Sequence, residues 1–375
     1  MTHSLILWIF FGVFFGDTLC HTPLVLRRGV VAGDLRSSTP RRSTVEVWHN
    51  VEPFIQSQSN TPPQTRFEYE EPHMGTVFRF QLYAPSKEIA DRAARAGFAR
   101  AKQLNSMLSD YQSDSELMQL CQKAGTGPVK SSQELVDILA ESEVWSKRSD
   151  GQFDASIGPL VHLWRRARRT RELPSPTAIN EARALVDYRH IHIDKAKLEI
   201  TLTKPKMRLD VGGIAKGYAA DEVQKVLKQH GITSACVAAG GDLSVSNRPP
   251  GSEGWIISLA PLEKTGAVTT RIILENQAVS TAGDMEQYVE IAGVRYSHIV
   301  DPRTGLGLVG RMSCTVVASR GTDSDGADTT ICLMGREKGI AMIDQLPGMA
   351  CLYLCMEDGQ VKQYPSAAWK KLKFK

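Results

Sequence analysis

Apolar residues along this chain follow two spacings, and the change from one to the other predicts the order of its elements. In the stretch 76–82, apolar and polar residues alternate, which predicts a strand with one buried face. Two later stretches, 89–108 and 135–145, repeat apolar residues every three or four positions and predict amphipathic helices. Ser131 followed by Glu134 forms a capping-box pattern, which predicts where the second helix begins.

The middle of the chain combines irregular and basic segments with a strand-to-helix junction. Residues 151–160 contain Gly and Pro at too many positions for a regular element, and residues 165–185 form a basic helical region. For this basic region a solvated face is favoured over a lid or a contact with a partner. Further on, a short strand ends at Gly212-Gly213, and a helix follows that stops at Gly231. Such a junction lets a ligand approach the backbone, and its helix start suits an anion. On this stretch alone, however, a tight turn followed by an amphipathic helix is the favoured interpretation.

The last third of the chain contains short strands and one apolar helical run. The pattern predicts strands at 255–259, 269–274 and 288–291, and a helix at 331–343. We find no repeat of fixed period.

Composition sets broad limits on function. The chain has 375 residues, of which 42% are hydrophobic and 23% charged, so a substantial core is available. Its formal net charge of +4 is too small to predict binding to nucleic acid. The seven cysteines form no CxxC pair, which argues against a zinc site.

The first residues indicate export. The apolar run 5–15 is too short to span a membrane, and residues 1–20 are therefore predicted to be a signal peptide or a lipoprotein signal. Lipidation of Cys20 and cleaved secretion are comparable alternatives, and a retained N-terminal anchor is the third. Residues 21–66 have little apolar periodicity and are predicted to be a flexible linker. The folded domain is predicted to span residues 67–375.

Acidic and hydroxyl side chains before the last helical run are candidate ligands for a hard cation. Asp325, Asp328 and Thr329 are spaced i, i+3, i+4, so a helix places them on one face. Oxygen ligands of this kind suit Mg²⁺, but Asp and Thr at a helix start are also ordinary caps. On this segment alone the capping interpretation is slightly favoured.

His298 is a candidate general base. Asp301 follows it by three residues and could orient its ring, although a lone His beside a strand is more often packed or exposed. Pro302 predicts a turn after this strand, in which Arg303 suits a phosphate or a carboxylate. No Gly-x-Ser-x-Gly or His-Glu-x-x-His motif supports a hydrolase triad or a zinc hydrolase.

Taken together and in this order, the motifs resemble those of the ApbE family, the FAD:protein FMN transferases. The resemblance runs from Met74 to the C-terminus. It is carried by Met74-Gly75-Thr76, Tyr111 with Ser115-Glu116, Phe153-Asp154 with Gly158-Pro159-Leu160, Leu209 through Asp221, Gly240-Gly241-Asp242-Leu243, Ser280-Thr281 with Gly283, His298 through Gly305, and Asp325 through Thr329. It implies an α+β fold in a single ApbE-like, T-fold-related domain, with two lobes around an FAD cleft as an open alternative.

The resemblance also implies an activity. A member of this family would be a Mg²⁺-dependent periplasmic transferase that cleaves FAD, joins FMN to a Thr or Ser hydroxyl of a target protein and releases AMP. The expected targets are flavoprotein subunits of membrane redox complexes, and attachment to the inner membrane through the N-terminus is left open. Two alternatives need the same pocket: an FAD pyrophosphatase that yields FMN and AMP, and a non-catalytic FAD-binding protein.

Site residues follow from the resemblance position by position. The FAD site would be lined by Met74, Tyr111, Asp154, Ala155, Ser156, Asp210, Lys216 and Ile299, with Arg303 added from the turn argument, and Tyr111 would stack on a ring of FAD. The metal would be held by Asp325, Asp328 and Thr329 together with the Gly213 carbonyl. Our hypothesis for the base is His298 oriented by Asp301, with Asp284 as the competitor.

Overall fold

The computed structural model describes residues 63–375 except 260, 263–269 and 286. The predicted signal at 1–20 and nearly all of the predicted linker therefore lie outside the described residues. The first strand begins at Thr65, two residues before the predicted start of the folded part. Within the described ranges, no helix combines the length and the apolar character that crossing a membrane requires.

Strands and helices are interspersed along the described chain. The strands are β1 Thr65–His73, β2 Thr76–Ala84, β3 Val129–Lys130, β4 Ile191–Asp194, β5 Glu199–Leu202, β6 Ser234–Ala239, β7 Asp242–Val245, β8 Trp255–Ser258, β9 Arg271–Leu274, β10 Gln277–Gly283, β11 Tyr288–Ile291, β12 Val294–Asp301, β13 Leu306–Val309, β14 Met312–Ala318, β15 Ala350–Glu357, β16 Gln360–Pro365 and β17 Lys373–Phe374. The α-helices are α1 Lys87–Leu108, α2 Glu116–Gln122, α3 Gln133–Arg148, α4 Gly158–Thr170, α5 Pro176–Arg183, α6 Ala215–Gln229, α7 Gly321–Met334 and α8 Arg336–Asp344. Short 3₁₀ turns lie at Ala155–Ile157, Tyr188–His190 and Trp369–Lys371.

A large antiparallel sheet is the centre of the fold. Among the described residues, eight strands form it in the order β1-β2-β6-β7-β10-β14-β15-β16. The described part of the chain also forms three smaller sheets, with the orders β11-β12-β13, β17-β9-β8 and β3-β5-β4. Helix α6 packs against α1 and α7, and α7 packs on β10 and β14. The predicted α+β class is confirmed.

The first predicted strand and helix form the packing that the pattern indicates. Phe78, Phe80 and Leu82 of β2 are all buried in the main core. Helix α1 presents its small and apolar residues to the same core. Gly97 permits this close approach, because a Cβ atom there would lie 2.9 Å from the Phe80 ring and 3.3 Å from Val223.

Two glycines let α6 and α7 cross with their backbones in contact. A Cβ atom on Gly217 would lie 2.0 Å from the Gly321 carbonyl oxygen, and one on Gly321 would lie 2.5 Å from the Gly217 oxygen. Neither position accepts a side chain without moving a helix. At this crossing the Gly217 N–H donates to Asp325 Oδ2 at 2.8 Å, so the contact brings the start of α6 to the acidic face of α7.

Four local predictions are wrong. The strand expected to end at Gly212-Gly213 is absent, because residues 203–214 are irregular and lead directly into α6. Ser132, not Ser131, caps α3: its Oγ accepts from Leu135 N at 3.2 Å, and the Glu116 carboxylate accepts from Ser132 N and Oγ. Residues 151–160 contain a 3₁₀ turn and the start of α4, whose early proline needs no N–H partner there. The apolar run 331–343 is divided between two helices at Gly335, where φ is +81°.

Asp221, on α6, caps the start of α7. Its carboxylate accepts hydrogen bonds from Gly321 N at 2.7 Å, from Thr322 N at 2.9 Å and from Thr322 Oγ1 at 2.8 Å. The first N–H groups of a helix have no partner within it, and a carboxylate there also complements the helix dipole. This residue thus fixes the position of α7 relative to α6.

We expect Asp221→Ala to lower the free energy of unfolding by about 1–2 kcal/mol, because three donors lose their acceptor. Burial raises the pKa of Asp221 in spite of these bonds, which keeps the expected loss at this modest size. Urea unfolding followed by circular dichroism measures the change. Lys228→Ala, at an exposed position of the same helix, is the control. Equal stability of the two variants would contradict the capping role.

Candidate active site

Three buried carboxylates meet where α7 faces the start of β7. Asp325 and Asp328 on α7 and Asp242 on β7 offer oxygens that all lie within 4.8 Å of one another. Burial, and then repulsion from Asp242, raises the pKa of Asp325 to about 7. Burial and the other two carboxylates likewise raise the pKa of Asp328. A bound cation would relieve this repulsion.

The donor set of this cluster fits a hard cation. Asp328 Oδ1 is buried and has no hydrogen-bond partner in the described part of the chain. Gly213 lies against the neighbouring hydroxyl residue, since a Cβ atom on it would be 3.1 Å from Thr329 Cγ2 and 3.3 Å from Thr329 Oγ1. The structure therefore brings together the predicted set of Gly213, Asp325, Asp328 and Thr329. Its oxygen atoms are of the type that Mg²⁺ prefers.

Asp242 is a candidate ligand that the sequence interpretation missed. The residue was recognised only as part of a motif, Gly240-Gly241-Asp242-Leu243. A carboxylate directly after two glycines, at the start of a strand, was the available signal. Its proximity to α7 depends on the pairing of β6 with β7 and on the packing of α7 over the sheet.

Lys216, in the first turn of α6, forms an ion pair with Asp242. Burial alone would lower the pKa of Lys216, but the surrounding carboxylates, Asp242 foremost, raise it above its ordinary value. Its ammonium group is therefore charged at neutral pH. With one ammonium group against three carboxylates, the cluster retains negative charge when all are ionised, which suits a divalent cation.

A second cluster surrounds Tyr111. The ring is 76% exposed, and the Cζ atom of Arg165 lies 4.0 Å from its centroid. Arg165 also pairs with Asp110 and, at 3.1 Å, with Asp210. Asp210 Oδ1 in turn accepts from Gly212 N at 2.8 Å. An exposed ring held by a cation can stack on a flat aromatic ligand.

Asp154 and Ser156 have internal partners. Asp154 Oδ1 accepts from Ser156 N at 2.7 Å and Ser156 Oγ at 2.6 Å, and Asp154 Oδ2 accepts from Tyr188 N at 2.8 Å. The carbonyl of Ala155 accepts from Asp210 N at 2.8 Å. These residues hold the loop that carries Asp210. Their direct contact with FAD stays a prediction.

Met74 and Ile299 lie in very different surroundings. Met74 and Gly75, with φ of +51° and +71°, form the turn between β1 and β2. A Cβ atom on Gly240 would lie 2.7 Å from Thr76 Oγ1, so this turn approaches the turn before β7. Ile299 is a buried core residue of β12. Its predicted contact with FAD is untested, as is that of Met74.

Asp301 and Arg303 bind each other. Arg303 Nη2 donates to Asp301 Oδ2 at 2.8 Å and to the Leu333 carbonyl at 3.2 Å. The expected orientation of His298 by Asp301 is therefore wrong, because the carboxylate serves the turn that follows β12. The guanidinium of Arg303 is also engaged within the protein, which weakens its predicted role as a phosphate ligand.

His298 is half-buried on β12, and its partner is the carbonyl of Gln287. His298 N donates to this oxygen at 3.0 Å, and His298 Nδ1 lies 3.3 Å from it. A carbonyl only accepts, so Nδ1 carries the proton and Nε2 has the lone pair. Burial, followed by the charges of Arg168 and Lys216, lowers the pKa of His298 to about 4. The ring is therefore neutral at pH 7 and able to act as a base.

Asp284 is a poor competitor for the role of base. It is fully buried and accepts from Arg295 Nε at 2.6 Å through Oδ2. Its Oδ1 accepts from Met312 N at 3.0 Å. Because both oxygens are held by fixed partners, the carboxylate links β10 to the neighbouring strands. The geometry favours His298 over Asp284.

Comparison with known proteins relates this arrangement to one family. The ApbE family model matches residues 74–353. Two curated relatives, both called FAD:protein FMN transferase, come from Vibrio cholerae and Treponema pallidum. The first is 30% identical over 307 residues, covering 80% of this chain and 90% of the relative. The second is 30% identical over 298 residues, covering 75% and 82%.

Solved structures agree with the sequence relatives. The flavin transferase ApbE from Vibrio cholerae superposes with a TM-score of 0.74 at 27% identity, covering 83% of this chain and all of the other. The apo form of the flavinyl transferase ApbE from Pseudomonas stutzeri gives 0.73 at 29% identity, covering 82% and 97%. Because the family match spans most of the sequence and the fold agrees over the same region, this chain belongs to the ApbE family.

Proposed function

We propose that this protein transfers FMN from FAD to a Thr or Ser hydroxyl of a target protein and releases AMP. The observation that carries the proposal is the loop 210–213, which joins the two clusters of the site. At one end of the loop, Asp210 pairs with Arg165, whose guanidinium group lies over the Tyr111 ring. At the other end, Gly213 lies against Thr329, which neighbours the three carboxylates. The name of the curated relatives supports the same reaction.

The cation of this site is proposed to be Mg²⁺. Asp242, Asp325 and Asp328 would hold it with Thr329 and the Gly213 carbonyl, and the unpartnered Asp328 oxygen supports this assignment. When bound, Mg²⁺ supplies neutralising charge for a pyrophosphate group.

Four side chains have further proposed roles in FAD binding and in the transfer step. The Tyr111 ring stacks on a ring of FAD, with Arg165 supporting the other face. His298 Nε2 accepts the proton of the target hydroxyl as its oxygen bonds to the phosphorus of the FMN half. The bond from that phosphorus to the AMP oxygen breaks, and AMP leaves with the electron pair. Lys216 remains paired with Asp242 and keeps that carboxylate in place.

One experiment separates the proposed transferase from its two alternatives. The protein is mixed with FAD, Mg²⁺ and a recombinant acceptor domain of a redox-complex flavoprotein subunit. Flavin fluorescence that stays on the acceptor after denaturation, with one AMP released per flavin bound, supports transfer. Free FMN without labelled acceptor indicates a pyrophosphatase, and intact FAD indicates a binding protein. A parallel sample with EDTA tests the requirement for a cation.

We also propose that the protein is exported and acts in the periplasm on flavoprotein subunits of membrane redox complexes. The apolar run 5–15 and the polar stretch after it support export. Mass spectrometry of flavinylated proteins in cells with and without this protein would identify the targets. Fractionation of wild type and Cys20→Ser would distinguish a lipidated protein, which moves out of the membrane in the variant, from a secreted one.

Tyr111→Ala is expected to raise the KM for FAD roughly tenfold, because a stacking contact of 1–3 kcal/mol is lost. Steady-state AMP release at varied FAD concentration measures this effect. Tyr111→Phe keeps the ring and should stay close to the wild type. The ring is largely exposed, so neither variant should change the unfolding midpoint. An unchanged KM in Tyr111→Ala would refute the stacking role.

A further inference from the structure

Helix α4 holds the surroundings of His298 at two points on one of its faces. Trp164, which is buried, donates from Nε1 to the Ser297 carbonyl at 3.0 Å, directly before His298. One turn later, Arg168 Nη1 donates to Gln287 Oε1 at 3.3 Å. Residues four apart lie on the same side of a helix, so a single face of α4 contacts both segments.

Gln287 connects the second of these points to the imidazole. Its side chain accepts from Arg168, while its carbonyl accepts from both His298 N and His298 Nδ1. The carbonyl can hold only the tautomer with a proton on Nδ1. Movement of this carbonyl would therefore change both the direction of the ring and the availability of Nε2.

We propose that Gln287, anchored by Arg168, is the positioning residue for His298. Arg168 keeps the Gln287 segment against α4, and the Gln287 carbonyl then fixes the ring in the orientation and tautomer that leave Nε2 as acceptor. The inference rests on the proposed function, in which His298 accepts the proton of the target hydroxyl. Gln287 takes the place of Asp301 as the residue that orients His298, since Asp301 binds Arg303.

The same helix also reaches the other side of the site. Arg165, three residues before Arg168, stacks on Tyr111 and pairs with Asp210. Helix α4 thus carries the support of the proposed flavin-stacking ring and the anchor of the proposed base. This arrangement assigns a role to part of the basic region, for which a solvated face was the favoured prediction.

The choice of substitution separates the effect of the Arg168 charge on His298 from the effect of the Gln287 anchor on the position of its ring. Among the residues that the structure describes, the cations that act on His298 are Arg168 from α4 and Lys216 from α6. Loss of the Arg168 charge should raise the pKa of His298, whereas Gln287→Ala removes no charge. Both changes release the carbonyl, but only Arg168→Ala should also move the acidic limb of the rate profile to higher pH.

The test measures AMP release and acceptor labelling by the full-length protein with FAD, Mg²⁺ and the acceptor domain described above. Gln287→Ala and Arg168→Ala are each expected to lower kcat about tenfold, with the KM for FAD changed less than about twofold. Because both act through one anchor, the double variant should be no slower than the slower single variant on the alkaline plateau. Gln287→Glu keeps an acceptor oxygen for Arg168 and should retain most of kcat on that plateau.

Arg169→Ala, at an exposed position of α4, is the matched control and should keep the wild-type rate. Unfolding midpoints show whether each variant is folded. If Gln287→Ala does not fold, Gln287→Glu and Arg168→Ala still test the proposal. Wild-type kcat in Gln287→Ala or Arg168→Ala, or losses that multiply in the double variant, would overturn the anchor. A loss in Gln287→Glu equal to that in Gln287→Ala would do the same. Absence of transfer by the wild-type protein would instead overturn the proposed function.

Discussion

Asp328→Asn is expected to lower the kcat/KM for FMN transfer about a hundredfold or more. The substitution keeps the shape of the side chain and removes its charge. Asp328 is buried, shares a space with Asp242 and Asp325, and has an oxygen without a hydrogen-bond partner among the described residues. Loss of a carboxylate from a magnesium site removes charge stabilisation worth several kcal/mol in the transition state. Acceptor labelling at increasing Mg²⁺ concentration measures the effect.

The control lies on the same helix. Asp323→Asn changes a carboxylate that pairs with Arg320, away from the three-carboxylate cluster, and should leave the Mg²⁺ requirement unchanged. If Asp328→Asn transferred FMN at the wild-type rate at a low Mg²⁺ concentration, the proposed metal site would be contradicted.

The stability of the metal-free protein provides a second measurement on this variant. The folded-state pKa of Asp325 is about 7, above the value near 3.9 of an unfolded chain. The folded protein therefore binds more protons between these values, and stability should rise as the pH falls from 7 towards 4. Asp328→Asn removes a second carboxyl group, whose own pKa is raised by burial and by Asp325 and Asp242. It should raise the metal-free unfolding midpoint at pH 7 and make its dependence on pH weaker.

His298→Ala is expected to lower kcat for transfer by about a hundredfold to ten-thousandfold, the usual contribution of a positioned base. FAD binding should be retained, because the loss concerns proton transfer. The pKa of His298 lies at about 4, so its neutral form is present throughout the neutral range. Titration of His298 should therefore leave the wild-type rate constant across the neutral range and lower it as the pH approaches 4.

A second histidine is the control for this variant. His162 is exposed on α4, and His162→Ala should behave as the wild type. Single-turnover measurements at saturating FAD and acceptor isolate the chemical step from binding. Full transfer rate in His298→Ala at neutral pH would remove His298 from the mechanism and return attention to other acceptors of the proton.

Errors in the sequence interpretation have local physical causes. Ser131 and Ser132 are adjacent, and the periodicity of α3 does not decide between them; the carboxylate of Glu116, from another helix, binds Ser132. Gly and Pro in residues 151–160 indicated an irregular segment, although Pro is well tolerated in the first turn of α4. The apolar run 331–343 concealed a break at Gly335, because hydrophobic spacing continues across it.

The amino-acid sequence by itself determined the features that depend on neighbours in the chain. The spacing of Asp325, Asp328 and Thr329 places them on one helix face, since helical geometry relates residues three and four apart. The alternation in β2 likewise determined which residues enter the core. The order of the motifs was sufficient to identify the family, because each motif is a short contiguous string that can be found without knowledge of the fold.

Tertiary structure alone decided which distant residues meet. Asp242 joins the carboxylates of α7 because α6 and α7 pack together over the sheet, with backbone contact at Gly217 and Gly321. The partner of His298 is the carbonyl of Gln287, supplied by another strand connection and not by the nearby Asp301. A backbone carbonyl has no signature in the residue type, and contacts between elements depend on how whole surfaces pack. For this reason the sequence predicted the groups that could do the chemistry, while the fold selected their partners.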